Sequence, residues 1–170
     1  MKSDEGSGKD HFSFSEVRKR YEDLSKRSSG FKAQLGKRIG VPDDLAMVPA
    51  FYRLFPGITP TDWHYRAAFV VPFLRHSDSG PSLGAYIGEL ERSKKIGSVE
   101  RRVLQIARAV PQHDIVYLRR LLMRFDEPAV NWNKSGLAQF LSVDEEKNAR
   151  GKKALVEHYF IARNRAGKGE

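Results

Sequence analysis

The sequence SVERRVLQIARAVPQHDIVYLRRLLMRF, residues 98–125, carries the clearest periodicity in the chain. Apolar residues recur in it every three or four positions, which is the spacing of one face of an α-helix. They are Val99, Val103, Ile106 and Val110 in the first half, and Ile115, Leu118, Leu122 and Phe125 in the second. The spacing predicts two consecutive helices, at 98–110 and 114–125, each buried along one side.

The other sides of these two helices are basic, and all six basic residues in the stretch are arginine. The first helix carries Arg101, Gln105 and Arg108 on this side, with Arg102 beside them. The second carries Tyr117, Arg120 and Arg124, with Arg119 at the boundary of the buried side. Arginine forms bidentate phosphate contacts and stacks on bases, and tyrosine adds a stacking ring. This combination is typical of surfaces that bind single-stranded nucleic acid. An ordinary solvated helix face is the alternative interpretation.

The rest of the chain is also helical in pattern from Phe14 onward, without a convincing strand alternation. We expect helices at about 14–27, 31–39, 50–55, 60–72 and 82–93, and a final one from the capping box at 142–145 to about Arg163, weakened in its middle by Gly151. Thr59 is the expected N-cap of the central helix, which Pro72 kinks or ends, and 76–81 is expected to be a loop. The prediction is an all-α fold, with one domain of about seven or eight short helices at 13–165, a disordered tail at 1–12 and a flexible tail at 166–170.

Composition narrows the class of protein. The 170 residues include 30 Lys and Arg against 21 Asp and Glu, and the net charge of +9 favours a polyanionic partner. The chain has no cysteine, which excludes disulfides, thiol nucleophiles and cysteine-ligated zinc. The longest nearly apolar run, 67–74, is too short for a membrane span, and the first residues contain no signal-peptide core. We expect a soluble, cytoplasmic protein with no membrane partner.

No motif for catalysis is visible. The five histidines never pair at helical ligand spacing. The acidic pairs 43/44, 126/127 and 145/146 fall at predicted helix ends, and capping and dipole roles explain the first and third of them. The segment 30–37 has the wrong glycine spacing for a phosphate-binding loop. We therefore expect no enzyme, no metal, no cofactor and no small-molecule substrate. The basic runs at 18–20, 26–27 and 37–38 are interpreted as solvated helix surface that could support a positive patch.

Four segments in order carry a family resemblance. DLAMVPAFYRL at 44–54, SLG at 82–84, ERRVLQIARA at 100–109 and DIVYLRRLL at 114–122 together resemble the CasB family, the small subunit of the type I-E CRISPR surveillance complex Cascade. The resemblance covers roughly residues 42–132. It implies an all-helical, non-enzymatic protein present as a pair of copies, which braces the other subunits and helps hold target DNA opened by guide RNA.

The resemblance also implies which residues bind nucleic acid. Arg53, Arg101, Arg102, Arg108, Arg119 and Arg120 match the basic pattern of the family, whereas Tyr117 and Arg124 come from the helical periodicity alone. A structural role is the alternative for Arg53, because apolar residues surround it. The expected partners are the displaced single strand of DNA, the guide RNA backbone, other Cascade subunits and a second copy. A ribosomal-type RNA-binding protein, a magnesium-dependent nuclease and a purely structural bridge remain open as alternatives.

Overall fold

A computed structural model describes residues 13–36 and 38–166. In this part of the chain nine α-helices and two short 3-10 turns account for nearly all regular structure, which confirms the all-α prediction. The helices are α1 Phe14–Arg27, α2 Phe31–Leu35, α3 Pro49–Leu54, α4 Asp62–Val70, α5 Leu83–Arg92, α6 Glu100–Arg108, α7 Pro111–Leu122, α8 Leu137–Phe140 and α9 Glu145–Arg163, and the 3-10 turns are Pro42–Met47 and Val71–Phe73. The predicted tail at 1–12, and 167–170 of the tail predicted at the other end, lie outside the described residues.

Helix α4 forms the centre of the core, as its apolar circumference predicts. Residues 67–71 are almost completely buried, and the helix gives way to a 3-10 turn just before Pro72. Its N-cap is Thr61, not the predicted Thr59, because the Thr61 backbone N–H donates to His64 Nδ1 (3.0 Å) and the Thr61 hydroxyl lies 3.0 Å from the same nitrogen. The helix is therefore two residues shorter at its start than the proline signal suggests.

Two further helix starts differ from the prediction. Helix α7 begins at Pro111, three residues early, because proline is preorganised for the first position of a helix. Helix α9 is capped by Asp144, whose carboxylate accepts from the Lys147 backbone N–H (3.0 Å), and not by Ser142. In both places the backbone uses the polar or rigid residue nearest to the first turn.

Strands β1, Arg75–His76, and β2, Ala129–Val130, pair in parallel, with Arg75 opposite Ala129. The sequence prediction of a loop at 76–81 therefore misses a strand residue at His76. Two residues are too few to show the apolar alternation by which a strand is recognised. The pair joins the segment after α4 to the segment after α7.

Glycines allow helix α9 to lie close to its neighbours. A Cβ atom added to Gly151 would come within 2.6 Å of Phe140 Cα on α8. On α5, a Cβ at Gly84 would come within 2.9 Å of the Tyr159 backbone nitrogen, and one at Gly88 within 3.0 Å of Ala162 Cβ. Gly151 does not interrupt α9, which is continuous, and the glycine permits close packing. That it weakens the helix stays a prediction.

A buried ionic cluster joins α4, α7 and α9. The Asp114 carboxylate is completely buried and accepts hydrogen bonds from both terminal nitrogens of Arg66 (2.8 and 3.2 Å) and from Asn148 Nδ2 (2.9 Å). Lys152 Nζ lies 3.0 Å from the same carboxylate. Breaking such a cluster leaves an uncompensated charge in the interior. It therefore fixes the position of α7 relative to the central helix.

Candidate nucleic-acid interface

Helix α6 presents a basic face to solvent. Val103 and Ile106 are buried toward the core, so the residues on the opposite side of the helix are exposed, as the periodicity predicts. The exposed side chains include Arg101, Arg102 and Arg108. These three arginines are here called the α6 arginine surface, and exposed Gln105 lies among them.

The charge of the α6 arginine surface is not neutralised by neighbours. Glu100, the one acidic residue of the helix, forms an ion pair with Arg163 on α9. Within residues 13–36 and 38–166, none of the three surface arginines has a carboxylate within 4.0 Å. Three guanidinium groups on one helix are therefore available to an external anion.

The structure corrects the predicted nucleic-acid-binding set at Arg119, which is buried. Its side chain is only 2 % exposed, and it donates to the backbone oxygens of Phe69 (2.7 Å) and Gly36 (2.5 Å). The guanidinium lies 4.3 Å from the Phe69 ring centre and 4.8 Å from that of Phe73. Desolvation by burial lowers the pKa of Arg119 to about 10. Arg119 holds the core together and is not part of the exposed surface.

Tyr117 and Arg120 lie together, but in a groove with acidic residues. The groove is bounded by α7, by α4 and by the 3-10 turn Pro42–Met47, and it has a volume of about 750 Å³. Asp43 and Asp62 line it along with these two residues. Their surroundings therefore differ from the purely basic surface that the sequence predicts for α7.

Arg53 and Arg124 are both exposed and lie on other elements. Arg53 is on α3, which packs on α1 and α2, and its guanidinium lies 5.7 Å from the Phe31 ring centre. Arg124 follows the last turn of α7. Because Arg53 is exposed, the alternative that it has a buried structural role does not hold. Nucleic-acid binding by Arg53 or Arg124 stays a prediction.

Arg18 is a buried charge that the sequence analysis does not identify. Arg18, interpreted from the sequence as part of a solvated basic run, is buried and donates to the Val71 backbone oxygen (2.7 Å). It also pairs with Glu22 (3.0 Å) and Glu127 (3.4 Å). The one available signal was the position of Arg18 beside Val17 and Tyr21, on the apolar side of α1.

The part of the chain that the structure describes contains no candidate metal site and no candidate membrane-spanning helix. No group of three or more histidine or acidic side chains is placed there to hold a metal ion. None of the helices there is long and apolar enough to cross a membrane.

The fold and the site define an all-helical protein with a cationic helix face. No known protein-family profile matches the chain. It is 36 % identical over 119 residues to the CRISPR system Cascade subunit CasB of Escherichia coli K12. The aligned region covers 61 % of this chain and 70 % of that protein. It also matches a chain in the crystal structure of Escherichia coli Cascade bound to a PAM-containing double-stranded DNA target, with a TM-score of 0.65 and 31 % identity over 87 % of this chain and 94 % of that chain. The chain belongs to the CasB family, which confirms the resemblance.

Proposed function

We propose that this chain is a non-catalytic subunit of a type I-E Cascade complex and that its α6 arginine surface holds the displaced DNA strand of the R-loop. The observation that carries the proposal is the set of three exposed arginines on one helix of a CasB-family protein, none of which has an acidic partner within 4.0 Å among the described residues. Other Cascade subunits, a second copy of the chain and the guide RNA backbone are further proposed partners. The proposed location is the cytoplasm, where such a complex meets invading DNA.

The chemistry of the surface suits a strand of arbitrary sequence. Guide RNA reads the target by base pairing, so the protein that holds the displaced strand has no need to read bases. Guanidinium groups bind phosphate oxygens in any sequence, and their planar faces stack on exposed bases. Most of the affinity then comes from charge neutralisation and the release of counterions, which makes binding weak in isolation and sensitive to salt.

Tethering within the complex compensates for weak intrinsic affinity. A surface held next to the R-loop by protein contacts meets the strand at a high effective concentration. The α6 arginine surface would then help to retain a strand that the isolated chain would release quickly. The proposal therefore predicts a larger effect of the arginines on the R-loop than on assembly of the complex.

The test uses Cascade assembled with this chain as its small subunit and bound to a target duplex. The displaced strand is probed with permanganate, which reacts with unstacked thymines. Replacing Arg101, Arg102 and Arg108 by Ala is expected to increase strand reactivity several-fold, because phosphate contacts are lost while the fold is kept. A matched control replaces Lys147, Arg150 and Lys153 on α9, which are also exposed and remove the same charge. The control complex is expected to protect the strand like wild type.

Three results would contradict the proposal. Equal protection by both triple variants in fully assembled complexes would show that the α6 arginine surface does not hold the strand, as the structural-bridge alternative predicts. Preference of the isolated chain for folded RNA over single-stranded DNA would favour a ribosomal-type protein. Magnesium-dependent shortening of the strand, abolished by replacing a single carboxylate, would favour a nuclease.

A further inference from the structure

An aromatic cavity lies at the start of α1, bounded also by α4, by β1 and by the chain from β2 into α8. Four of its lining residues carry a ring, namely Phe14, Trp63, His76 and Trp132. Phe14 and Trp132 are buried, whereas Ser13 is exposed, so the cavity has a buried aromatic side and a polar side that faces solvent. Its volume is about 290 Å³. Because an apolar cavity of ~150 Å³ can bind benzene, this one has room for a phenyl ring.

The lining of this cavity favours an uncharged occupant. None of its described lining residues is Asp, Glu, Lys or Arg. The His76 ring is already engaged, because Nδ1 accepts from the Trp132 backbone N–H (3.3 Å) and Nε2 lies 2.8 Å from an Asp78 carboxylate oxygen. The buried Trp132 indole N–H has no hydrogen-bond partner among the described residues, and the face of an aromatic ring is a weak acceptor for such a donor. An uncharged aromatic ring therefore suits the cavity best.

The sequence places such a ring next to the cavity. Ser13 is a lining residue, and Phe12, which lies outside the described residues, directly precedes it. Ser13 caps α1 in a complete capping box with Glu16. With this box, an apolar residue just before the cap often packs against the fourth residue of the helix, a contact known as the hydrophobic staple. That fourth residue is Val17, which is buried on the same side of α1 as the lining residue Phe14. The capping geometry therefore directs Phe12 toward the cavity.

We propose that the side chain of Phe12 occupies this cavity, so that the segment before α1 acts as a strap that closes it. The ring would lie against Trp63 and Trp132 and would join the start of α1 to α4 and α8, which are distant in sequence. The predicted tail at the N-terminal end would then stop before Phe12. Release of the strap would open an aromatic site at the protein surface while the helices stay folded.

Tryptophan fluorescence tests the proposal, because the chain has two tryptophans and both line the cavity. In the 170-residue chain, F12A is expected to shift the emission to longer wavelength and to raise acrylamide quenching about twofold, because water reaches the indoles. The melting temperature is expected to fall by about 4–8 °C, as for a partly buried phenylalanine truncated to alanine. H11A is the matched control, since it truncates the neighbouring side chain of the same segment, and it is expected to behave like wild type.

Toluene distinguishes an occupied cavity from an open one, because it has the shape of the missing side chain. Saturation-transfer NMR is expected to detect toluene on F12A and not on wild type, and bound toluene is expected to restore the emission of F12A. Equal toluene binding by both proteins would show that Phe12 does not fill the cavity and would overturn the proposal, as would equal fluorescence changes in F12A and H11A.

A measurement on the wild-type chain covers the case in which F12A does not fold. Nuclear Overhauser contacts between the Phe12 ring protons and the indole protons of Trp63 or Trp132 would support the proposal, and their absence would overturn it. None of the described lining residues belongs to α6. Loss of the strap is therefore expected to leave single-strand affinity within twofold of wild type, which separates this test from that of the α6 arginine surface.

Discussion

Arg119 and Arg120 are adjacent in sequence and have opposite environments. Arg120 is exposed in the groove beside α7, whereas Arg119 is buried between two phenylalanine rings with two backbone carbonyls as its acceptors. No carboxylate lies within 4.0 Å of Arg119 among the described residues. Among the described residues, carbonyl dipoles and aromatic faces hold its buried charge, an arrangement that hydrogen bonds and cation–π contacts can support.

Replacing Arg119 by Ala is expected to lower the free energy of unfolding by about 2–4 kcal/mol, because it leaves a cavity and two unpaired carbonyls. Replacing Arg120 by Ala is expected to change it by less than about 0.5 kcal/mol, as for exposed residues generally. Urea unfolding followed by circular dichroism measures both. Equal losses in the two variants would show that the buried contacts of Arg119 do not stabilise the fold.

Helical periodicity alone could not separate these two arginines. It placed Arg119 at the boundary of the apolar stripe, where a small rotation of the helix decides between solvent and core. The deciding contacts come from Phe69 and Gly36, which are 50 and 83 residues away in sequence. The same limitation applies to Arg18, whose acceptor Val71 is 53 residues away. For both arginines, the acceptors that hold the buried charge become known only with the tertiary fold.

At the scale of elements, the position of α9 depends on close approaches at glycine. Gly84 and Gly88 on α5 and Gly151 on α9 each leave too little space for a Cβ atom. The sequence shows Gly151 only as a weak helix former, because helix propensity describes an isolated helix and contains no term for a neighbour. Helices of moderate length were otherwise predictable, since apolar spacing and caps are local properties.

Substitution of Gly151 by Ala tests this packing. Propensity alone would stabilise α9 by about 1 kcal/mol. The clash with the Phe140 backbone is expected to reverse the sign and destabilise the protein by about 1–3 kcal/mol, as overpacking does. Gly97→Ala is the matched control, because an added Cβ meets no atom within 4 Å there, and it is expected to be neutral or slightly stabilising. Thermal unfolding compares the two, and a stabilised Gly151→Ala variant would contradict the close approach.

For the whole molecule, the net charge of +9 indicated a polyanionic partner but not where it binds. The sequence grouped the arginines of α6 and α7 into one site because the two helices are adjacent in the chain. The structure distributes them over four environments: the open face of α6, the core at Arg119, a groove with two carboxylates at Arg120, and the exposed segment after α7 at Arg124. The carboxylates come from Asp43 and Asp62, far away in sequence, so only the tertiary fold brings them to the groove.

The exposed arginines of α6 and the groove beside α7 are therefore different surfaces. The α6 arginine surface, which has no carboxylate within 4.0 Å among the described residues, suits a nucleic-acid backbone. The groove combines Asp43 and Asp62 with Arg120. The account therefore depends most on whether the three arginines of α6 contact phosphates.

The most direct measurement is the salt dependence of single-strand binding by the isolated chain. Anisotropy titrations with a mixed-sequence strand of ~30 nucleotides give log Kd against log salt concentration for wild type and for the variant with Ala at Arg101, Arg102 and Arg108. Each lost phosphate contact lowers the slope by about 0.7 on a single strand, so the account predicts a slope smaller by about 2 in the variant. Parallel lines for the two proteins would show that these arginines contact no phosphate and would contradict the central claim.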